Sequence, residues 1–220
     1  MPGDGTAARA DSEVALAAGA RYGLALAGGY AVSAHGIGDR PSGDVDLFTS
    51  WQHRGEFPEL TSAVIAALEA GGYKAIVIMS GETFIRLTLT DPAGGTEEKV
   101  ELSVDWRAHD PVQLAVGPVL HVDDAVANKV CALFGRALPR DFLDVDAAVT
   151  SGRYTREQLL ELAAEADHGF DRLLFADALG ALTQITDAAF AEYRADPGTI
   201  ADMRHRFAQW RQELLASSSC

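Results

Sequence analysis

LAGGYAVSAHGIGDRPSGDVDLF, residues 26–48, carries the strongest structural signal in the 220-residue chain. An apolar run over residues 24–26 leads into Gly28 and Gly29, a helical pattern follows over residues 30–35, and residues 44–49 alternate acidic and apolar side chains. That alternation has the period of a half-buried β-strand. The stretch therefore predicts a short strand, a glycine turn, a short helix and a second strand.

Two carboxylates lie on one face of the second predicted strand. Asp44 and Asp46 are separated by one residue, so their side chains project to the same side while the residues around them face the core. Mg²⁺ prefers carboxylate oxygens together with substrate phosphates. Gly28 and Gly29, which lack a Cβ and precede a helix, offer a cradle for such phosphates. The combination predicts a metal–nucleotide site.

A two-metal site normally needs a third carboxylate from another strand. Residues 99–106 alternate, which puts Glu101 and Asp105 on one face of a further predicted strand. These two acids would be about 13 Å apart, too far to serve one pair of ions together. We favour Glu101, which lies mid-strand, with Asp105 as the alternative.

A second cluster follows the pattern K-x6-R-x3-RD-x2-D between residues 129 and 144. Asp141 and Asp144 are three residues apart and share a helix face. Asp141 also falls in the first helical turn, where the helix dipole favours an acid. Lys129, on the preceding helix, is a point charge suited to a triphosphate held at the glycines.

The rest of the chain divides into a mixed half and a helical half. Before residue 122 we expect a helix over residues 12–22 capped by Asp11 or Ser12, and further elements at 56–70 (helix), 75–79 and 83–90 (strands) and 91–96 (turn). After residue 123 the pattern is helical at 123–133, 139–149, 155–167, 170–185 and 199–215. The predicted class is α+β, with a mixed-sheet catalytic lobe at 1–122 and an all-helical lobe at 123–220.

Together these motifs resemble the nucleotidyltransferase toxins of the AbiEii/AbiGii family, which belong to the DNA polymerase β-like nucleotidyltransferase superfamily and are similar to the MenT toxins. The GG and DVD motifs are common to the superfamily, whereas K-x6-R-x3-RD-x2-D is particular to the family. The resemblance covers about residues 24–149 and implies a polymerase β-like first lobe. Gly29 stands where the superfamily more often has serine.

The resemblance also implies roles for individual residues. The implied catalytic residues are Asp44, Asp46, Lys129, Asp141 and Asp144, to which the strand pattern adds Glu101. The implied metal ligands, for two Mg²⁺ or Mn²⁺ ions, are Asp44 and Asp46, and the strand pattern supplies Glu101 as the third. The implied nucleotide-binding residues are Gly28, Gly29, Ser42, Lys129 and Arg140. Ser42 also occupies a place where MenT-like toxins carry a hydroxyl residue that can be modified to silence them.

The implied reaction transfers NMP from an NTP to an RNA acceptor, with the tRNA 3′ end as the expected target, in a type IV-like system in which a cognate antitoxin restrains the enzyme. An antibiotic nucleotidyltransferase acting on an aminoglycoside or lincosamide is the main alternative, because the same glycine-to-DVD stretch resembles those enzymes. A catalytically inactive binding module is disfavoured, because both DVD acids and Lys129 are present.

Composition limits the partners and the compartment. With 18 basic and 32 acidic residues the chain carries a formal charge of −14, which attracts cationic drugs and repels RNA except at a local basic patch. For the C-terminal arginines at 194, 204, 206 and 211 we favour a solvated helix face over RNA binding. Two cysteines cannot build a disulfide framework, and neither a membrane span nor a secretory signal is expected, which predicts a cytoplasmic protein.

Overall fold

A computed structural model of the chain describes residues 4–91 and 97–217. The described residues form two units. The first comprises the residues up to Ala34 together with Ser42–His121, and the second comprises His35–Pro41 together with the residues from Val122 onward. Most of the predicted turn at 91–96 and the terminal Cys220 lie outside the described residues.

The first unit is built on a mixed sheet of seven strands in the order β3-β4-β5-β2-β1-β7-β6. The strands are β1 (Ala25–Leu26), β2 (Asp44–Ser50), β3 (Lys74–Ser80), β4 (Phe84–Thr90), β5 (Glu97–Asp105), β6 (Val112–Leu114) and β7 (Gly117–Val119). The pairs β2–β5 and β1–β7 are parallel, and the other neighbours are antiparallel. The predicted α+β class with a mixed sheet is confirmed.

The alternation seen in the sequence sorts the strand residues onto two faces. Val45, Leu47, Leu87 and Leu102 are fully buried in the core, whereas the residues between them are at least partly exposed. A strand with a polar face can also be an edge strand of a sheet. β2 and β5 each pair with a strand on both sides, so neither of them is an edge strand. The two strands that carry the predicted acids are therefore central strands of the sheet.

The helices of the first unit are α1 (Asp4–Gly19), α2 (Gly28–Ala34) and α3 (Phe57–Ala70), with 3₁₀ turns at Ala20–Tyr22 and Trp51–Glu56. The expectation that Asp11 or Ser12 caps the first helix was wrong, because the Ala-rich segment before them extends α1 back to Asp4. The second helix likewise begins at Gly28 rather than at Tyr30.

The second unit is helical, as predicted. Its elements are α4 (Val122–Arg136), α5 (Pro139–Thr150), α6 (Arg156–Ala166), α7 (Arg172–Gly180), α8 (Pro197–Ser217) and 3₁₀ turns at Ala181–Gln184 and Asp187–Tyr193. The helix expected over 170–185 is shorter. Asp171 caps α7 by accepting hydrogen bonds from the N–H groups of Leu173 and Leu174, and the helix ends at Gly180.

β6 and β7 have no counterpart in the sequence prediction. Each has only three residues, and Gly117 and Pro118 give β7 the composition of a turn. They form a hairpin whose second strand pairs with β1 through Leu26 and Val119. This pairing places β1, which leads into Gly28, in the interior of the sheet.

Within the described ranges, no single helix has the length and apolar character needed to cross a membrane. One bent pair, Arg172–Gln184 with Asp187–Tyr193, meets the length and composition test jointly, with an angle of 95° between its two parts.

Candidate active site

Carboxylates of β2 and β5 lie on one face of the sheet. Asp46 has Glu101 as its direct neighbour on the parallel strand β5, and Asp44 has Lys99. All four side chains project from the face opposite the buried residues Val45 and Leu47, because alternate residues of a strand point to opposite faces. The structure thus brings Asp44, Asp46 and Glu101 onto one face of two adjacent strands.

Asp105, the alternative third carboxylate, is placed differently. Its neighbour on β2 is Ser50, four residues beyond Asp46 along the strand. At the rise of a β-strand this separation is about 13 Å. Of Glu101 and Asp105, Glu101 is the one adjacent to Asp46.

Gly28 lies directly against Asp46. The Gly28 backbone is left-handed, with φ +61°, and a Cβ at this position would be 1.7 Å from Oδ2 and 2.8 Å from Cβ of Asp46. The N–H of Ala27 donates to the carbonyl oxygen of Asp46 at 2.8 Å, which ties the glycine turn to β2. α2 has only seven residues, so the close approach of Gly28 to Asp46 matters more here than a helix dipole. Only glycine fits this close approach.

Arg86 of β4 was not identified from the sequence. It is the antiparallel neighbour of Glu101, and its Nε and Nη2 both lie 2.7 Å from Oε1 of that carboxylate. The guanidinium also lies 5.7 Å from the ring centre of Phe84. Asp46, Glu101 and Arg86 therefore occupy one row across three strands.

Ser42 lies at the entrance to β2 and is partly exposed. Its hydroxyl donates to the carbonyl oxygen of Asp44 at 3.4 Å, and its own carbonyl accepts from the Tyr30 hydroxyl at 3.3 Å. The Ser42 hydroxyl is thus held two residues before the first acid of the DVD motif.

The second unit contains a buried cluster centred on Asp144. Its carboxylate is 2.9 Å from Nζ of Lys129 and accepts a hydrogen bond of 2.7 Å from Nη2 of Arg40. Burial alone would raise the pKa of Asp144, but the Arg40 hydrogen bond and the Lys129 charge outweigh it, and the pKa lies below its usual value. Lys129 and Asp144 are 7% and 5% exposed, so one buried acid holds two cations out of bulk water.

Tyr193 extends this cluster. The Arg40 guanidinium lies 5.5 Å from the centre of the Tyr193 ring. Burial and a hydrogen bond with Glu192 raise the pKa of the Tyr193 hydroxyl to about 12, against the opposing positive charges of Arg140 and Arg40. Arg140, predicted to bind nucleotide, is therefore near Arg40 and Tyr193.

Asp141 has a different environment from Asp144. It is fully buried, and its two carboxylate oxygens accept hydrogen bonds from Arg136 at 2.8 and 2.9 Å. The same carboxylate accepts the N–H of Leu138 at 3.1 Å, at the start of α5. These contacts give Asp141 a role in joining α4 to α5, which is the dipole and capping role expected of an acid in a first helical turn.

The C-terminal arginines make specific contacts within the second unit. Arg204 donates to the carbonyl oxygens of Leu182 and Ile185, and Arg206 holds Asp146 with two hydrogen bonds. Arg211 donates to the carbonyl oxygen of Ala176. The solvated face that we favoured for these arginines is therefore wrong for these three, which tie α8 to its neighbours.

Sequence reasoning missed Arg40, Arg86 and Tyr193. Arg40 is 104 residues from Asp144 along the chain, and no local pattern pairs them. Arg86 had a usable signal, since the period-2 pattern puts it on the polar face of its strand. Tyr193 had none, because it closes a 3₁₀ turn that was not predicted.

The chain was compared with protein-family models and with curated proteins. The family model described as "Nucleotidyl transferase AbiEii toxin, Type IV TA system" matches residues 14–216. A search of curated proteins found no significant match.

Among solved structures, JHP933 from Helicobacter pylori has a TM-score of 0.61 at 15% identity and covers 100% of this chain and 97% of its own. The nucleotidyltransferase toxin MenT4 from Mycobacterium tuberculosis H37Rv has a TM-score of 0.61 at 18% identity, over 94% of this chain and 86% of its own. At these identities the structural matches show a shared fold.

Proposed function

Because the chain belongs to the nucleotidyl transferase AbiEii toxin family of type IV toxin–antitoxin systems and is thus a nucleotidyltransferase, we propose that it transfers a nucleoside monophosphate from an NTP to an RNA hydroxyl. The acceptor that we propose is the tRNA 3′ end, and the reaction needs Mg²⁺. The observation that carries this proposal is the row of Asp46 and Glu101, with Asp44 on the same face and Gly28 against Asp46.

The residues of the first unit fit a divalent metal. Asp44, Asp46 and Glu101 supply carboxylate oxygens, the ligands that Mg²⁺ prefers, and Mn²⁺ would suit the same set. Glycine at position 28 leaves room for the Asp46 carboxylate, since a Cβ there would be 1.7 Å from Oδ2 of Asp46. When bound, the ions would neutralise negative charge on the attacking and leaving oxygens. We propose Asp44, Asp46 and Glu101 as the ligands.

In the proposed reaction the acceptor hydroxyl gives its proton to solvent and attacks the α-phosphorus in line. The bond from that phosphorus to the bridging oxygen breaks, and pyrophosphate leaves with the electron pair of that bond. Gly28 and Gly29 would let the phosphates approach the backbone closely. The Ser42 hydroxyl would lie near them, which also makes it the proposed position for a silencing modification. A phosphate there would place negative charge next to Asp44 and Asp46.

The cluster around Asp144 would bind the polyphosphate. Lys129 and Arg40 together carry one more positive charge than Asp144 neutralises. Asp144 is proposed to orient Lys129 and Arg40, since both of them contact its carboxylate. With both carboxylate oxygens held by Arg136, Asp141 is proposed to support α5 and not to bind metal.

Transfer of label from each α-³²P-labelled NTP to total tRNA, in the presence of Mg²⁺, tests the proposal. Wild type should label the RNA, Asp44→Asn should not, and Asp110→Asn, the same change at an exposed acid of the same unit, should match wild type. RNA left unlabelled with every NTP would contradict the RNA acceptor. Label found instead on an aminoglycoside or lincosamide would identify an antibiotic nucleotidyltransferase.

The cognate antitoxin that the family implies is a separate proposal. Co-expression with a candidate antitoxin should relieve growth arrest caused by the wild-type chain. Asp44→Asn should cause no growth arrest. Equal arrest by wild type and Asp44→Asn would contradict toxicity through nucleotidyl transfer.

A further inference from the structure

We propose that Arg86 of β4 is a positioning residue that holds Glu101 through one carboxylate oxygen and leaves the other for the catalytic cation. This inference rests on the proposed metal site at Asp44 and Asp46. Neither the family motifs nor the spacing of the acids assigns a role to Arg86.

The hydrogen-bond geometry is the first argument. Nε and Nη2 of Arg86 are each 2.7 Å from the same oxygen, Oε1 of Glu101, and neither contact uses Oε2. A guanidinium that met both oxygens would occupy the whole carboxylate, as Arg136 does at Asp141. Two donors on one oxygen fix the carboxylate and keep one oxygen for another ligand.

The sheet register is the second argument. Glu101 is the neighbour of Asp46 on one side and of Arg86 on the other. Adjacent strands are about 5 Å apart, so Arg86 can fix Glu101 from the side away from Asp46. Phe84, two residues earlier on β4, lies under the guanidinium and restricts its movement.

Charge predicts a measurable consequence. The positive charge of Arg86, two strands from Asp46, disfavours binding of a divalent cation at the proposed metal ligands. Removal of Arg86 would also free Oε1 of Glu101 to bind that cation. Loss of Arg86 should therefore strengthen metal binding, on the order of tenfold from the Coulomb energy at this separation and the added ligand atom. It should also slow turnover, because Glu101 then takes up other geometries.

An ordinary cross-strand ion pair would behave differently. The Arg86 side chain is 38% exposed, and such pairs contribute little to stability. If the pair only supported the sheet, its loss would lower stability slightly and leave metal affinity unchanged.

Titration of the full chain with Mn²⁺ alone, by isothermal calorimetry at fixed ionic strength, separates these cases. The variants are Arg86→Gln, Glu101→Gln and the double variant, with Lys99→Gln as the matched control. Lys99 is the neighbour of Asp44 in the adjacent row, so its replacement removes one positive charge from the same face without touching the Glu101 contact.

Arg86→Gln should bind Mn²⁺ about tenfold more tightly than wild type, and at least threefold more tightly than Lys99→Gln. The excess over Lys99→Gln should disappear in the double variant with Glu101→Gln. In the labelling assay Arg86→Gln should lower kcat with little change in KM for NTP, and Arg86→Lys should recover part of kcat.

Each other outcome overturns one specific claim. Equal Mn²⁺ affinity in wild type and Asp44→Asn would refute the proposed metal site itself. Binding that depends on Asp44 but is unchanged or weaker in Arg86→Gln would refute the role of Arg86 and leave the metal site standing. An excess over Lys99→Gln that persists without Glu101 would reduce Arg86 to a distant charge. Circular dichroism would verify that each variant is folded.

Discussion

Gly28→Ala is the substitution for which the structure gives the sharpest expectation. The added Cβ would be 1.7 Å from Oδ2, 2.5 Å from Cγ and 2.8 Å from Cβ of Asp46. Rotation of the carboxylate would relieve only the first two contacts. Contact with the Asp46 Cβ can be relieved only by movement of β2 or of the glycine turn, so the DVD motif itself must shift.

The size of the effect follows from these distances. Non-bonded carbon and oxygen atoms need about 3 Å or more, so Asp46 Oδ2 must move by more than about 1 Å, a displacement that can cost about 100-fold in rate at a catalytic centre. The left-handed φ of +61° adds about 1–2 kcal/mol of backbone strain for alanine. We therefore expect at least 100-fold lower kcat and a Tm lower by about 2–8 °C.

Labelling of tRNA, Mn²⁺ calorimetry and thermal unfolding measure these effects on one set of proteins. Gly43→Ala is the control, because Gly43 lies just before Asp44 and a Cβ there would have no neighbour within 4 Å. Gly43→Ala should resemble wild type in all three measurements. If Gly28→Ala kept more than half of the wild-type kcat, the close approach of Gly28 to Asp46 would have no part in catalysis, and the phosphate cradle would be refuted.

Two further predictions concern acids outside the DVD motif, the half-buried Glu98 and the buried Asp144. Burial, together with the hydrogen bond and negative charge of Asp11, raises the pKa of Glu98 from 4.5 to about 8, so the protonated form is favoured in the fold and stability should fall as pH rises from about 4.5 to 8. Glu98→Gln should remove that loss of stability, which is about 1–2 kcal/mol after allowance for partial solvation. Urea unfolding at pH 6 and pH 9 measures it, with the exposed Glu97→Gln as control. Parallel pH profiles of stability for wild type and Glu98→Gln would contradict the prediction. Asp144→Asn leaves Lys129 and Arg40 buried without their shared counter-charge, so urea unfolding should show a loss of about 3 kcal/mol, and labelling activity should fall with it. A loss no greater than that of the exposed Asp177→Asn would mean that the two cations are not held by Asp144.

The sheet and its acids were predictable because their signals are local. The alternation around Asp44 and Asp46 fixes both the strand and the face on which the acids lie, and the same argument places Glu101 on β5. The preference for Glu101 over Asp105 rested on its mid-strand position, and the parallel register puts it next to Asp46. Local periodicity was enough for these acids because each of them belongs to a regular strand.

The contacts that hold these acids were not predictable, because they depend on pairings between distant segments. Arg86 meets Glu101 only through the register of β4 on β5, and Arg40 meets Asp144 across 104 residues of sequence. A single sequence gives the period of each strand but not the residue that lies opposite. The short strands β6 and β7 were missed for a related reason, since three-residue strands have too few alternations to detect.

Charge arrangement on α5 separates the acids that organise the fold from the one suited to a nucleotide site. Asp141, Asp144 and Asp146 are all buried, and each is held by an arginine from another segment: Arg136, Arg40 and Arg206, respectively. A buried ion pair adds little net stability, because desolvation offsets the attraction, but it fixes which segments meet. Asp144 alone among these three acids holds a lysine as well as an arginine, which leaves an excess of positive charge around it. That excess is what the proposed triphosphate requires, and it is why Asp144, and not Asp141, is the acid of the RD-x2-D motif that we assign to the reaction.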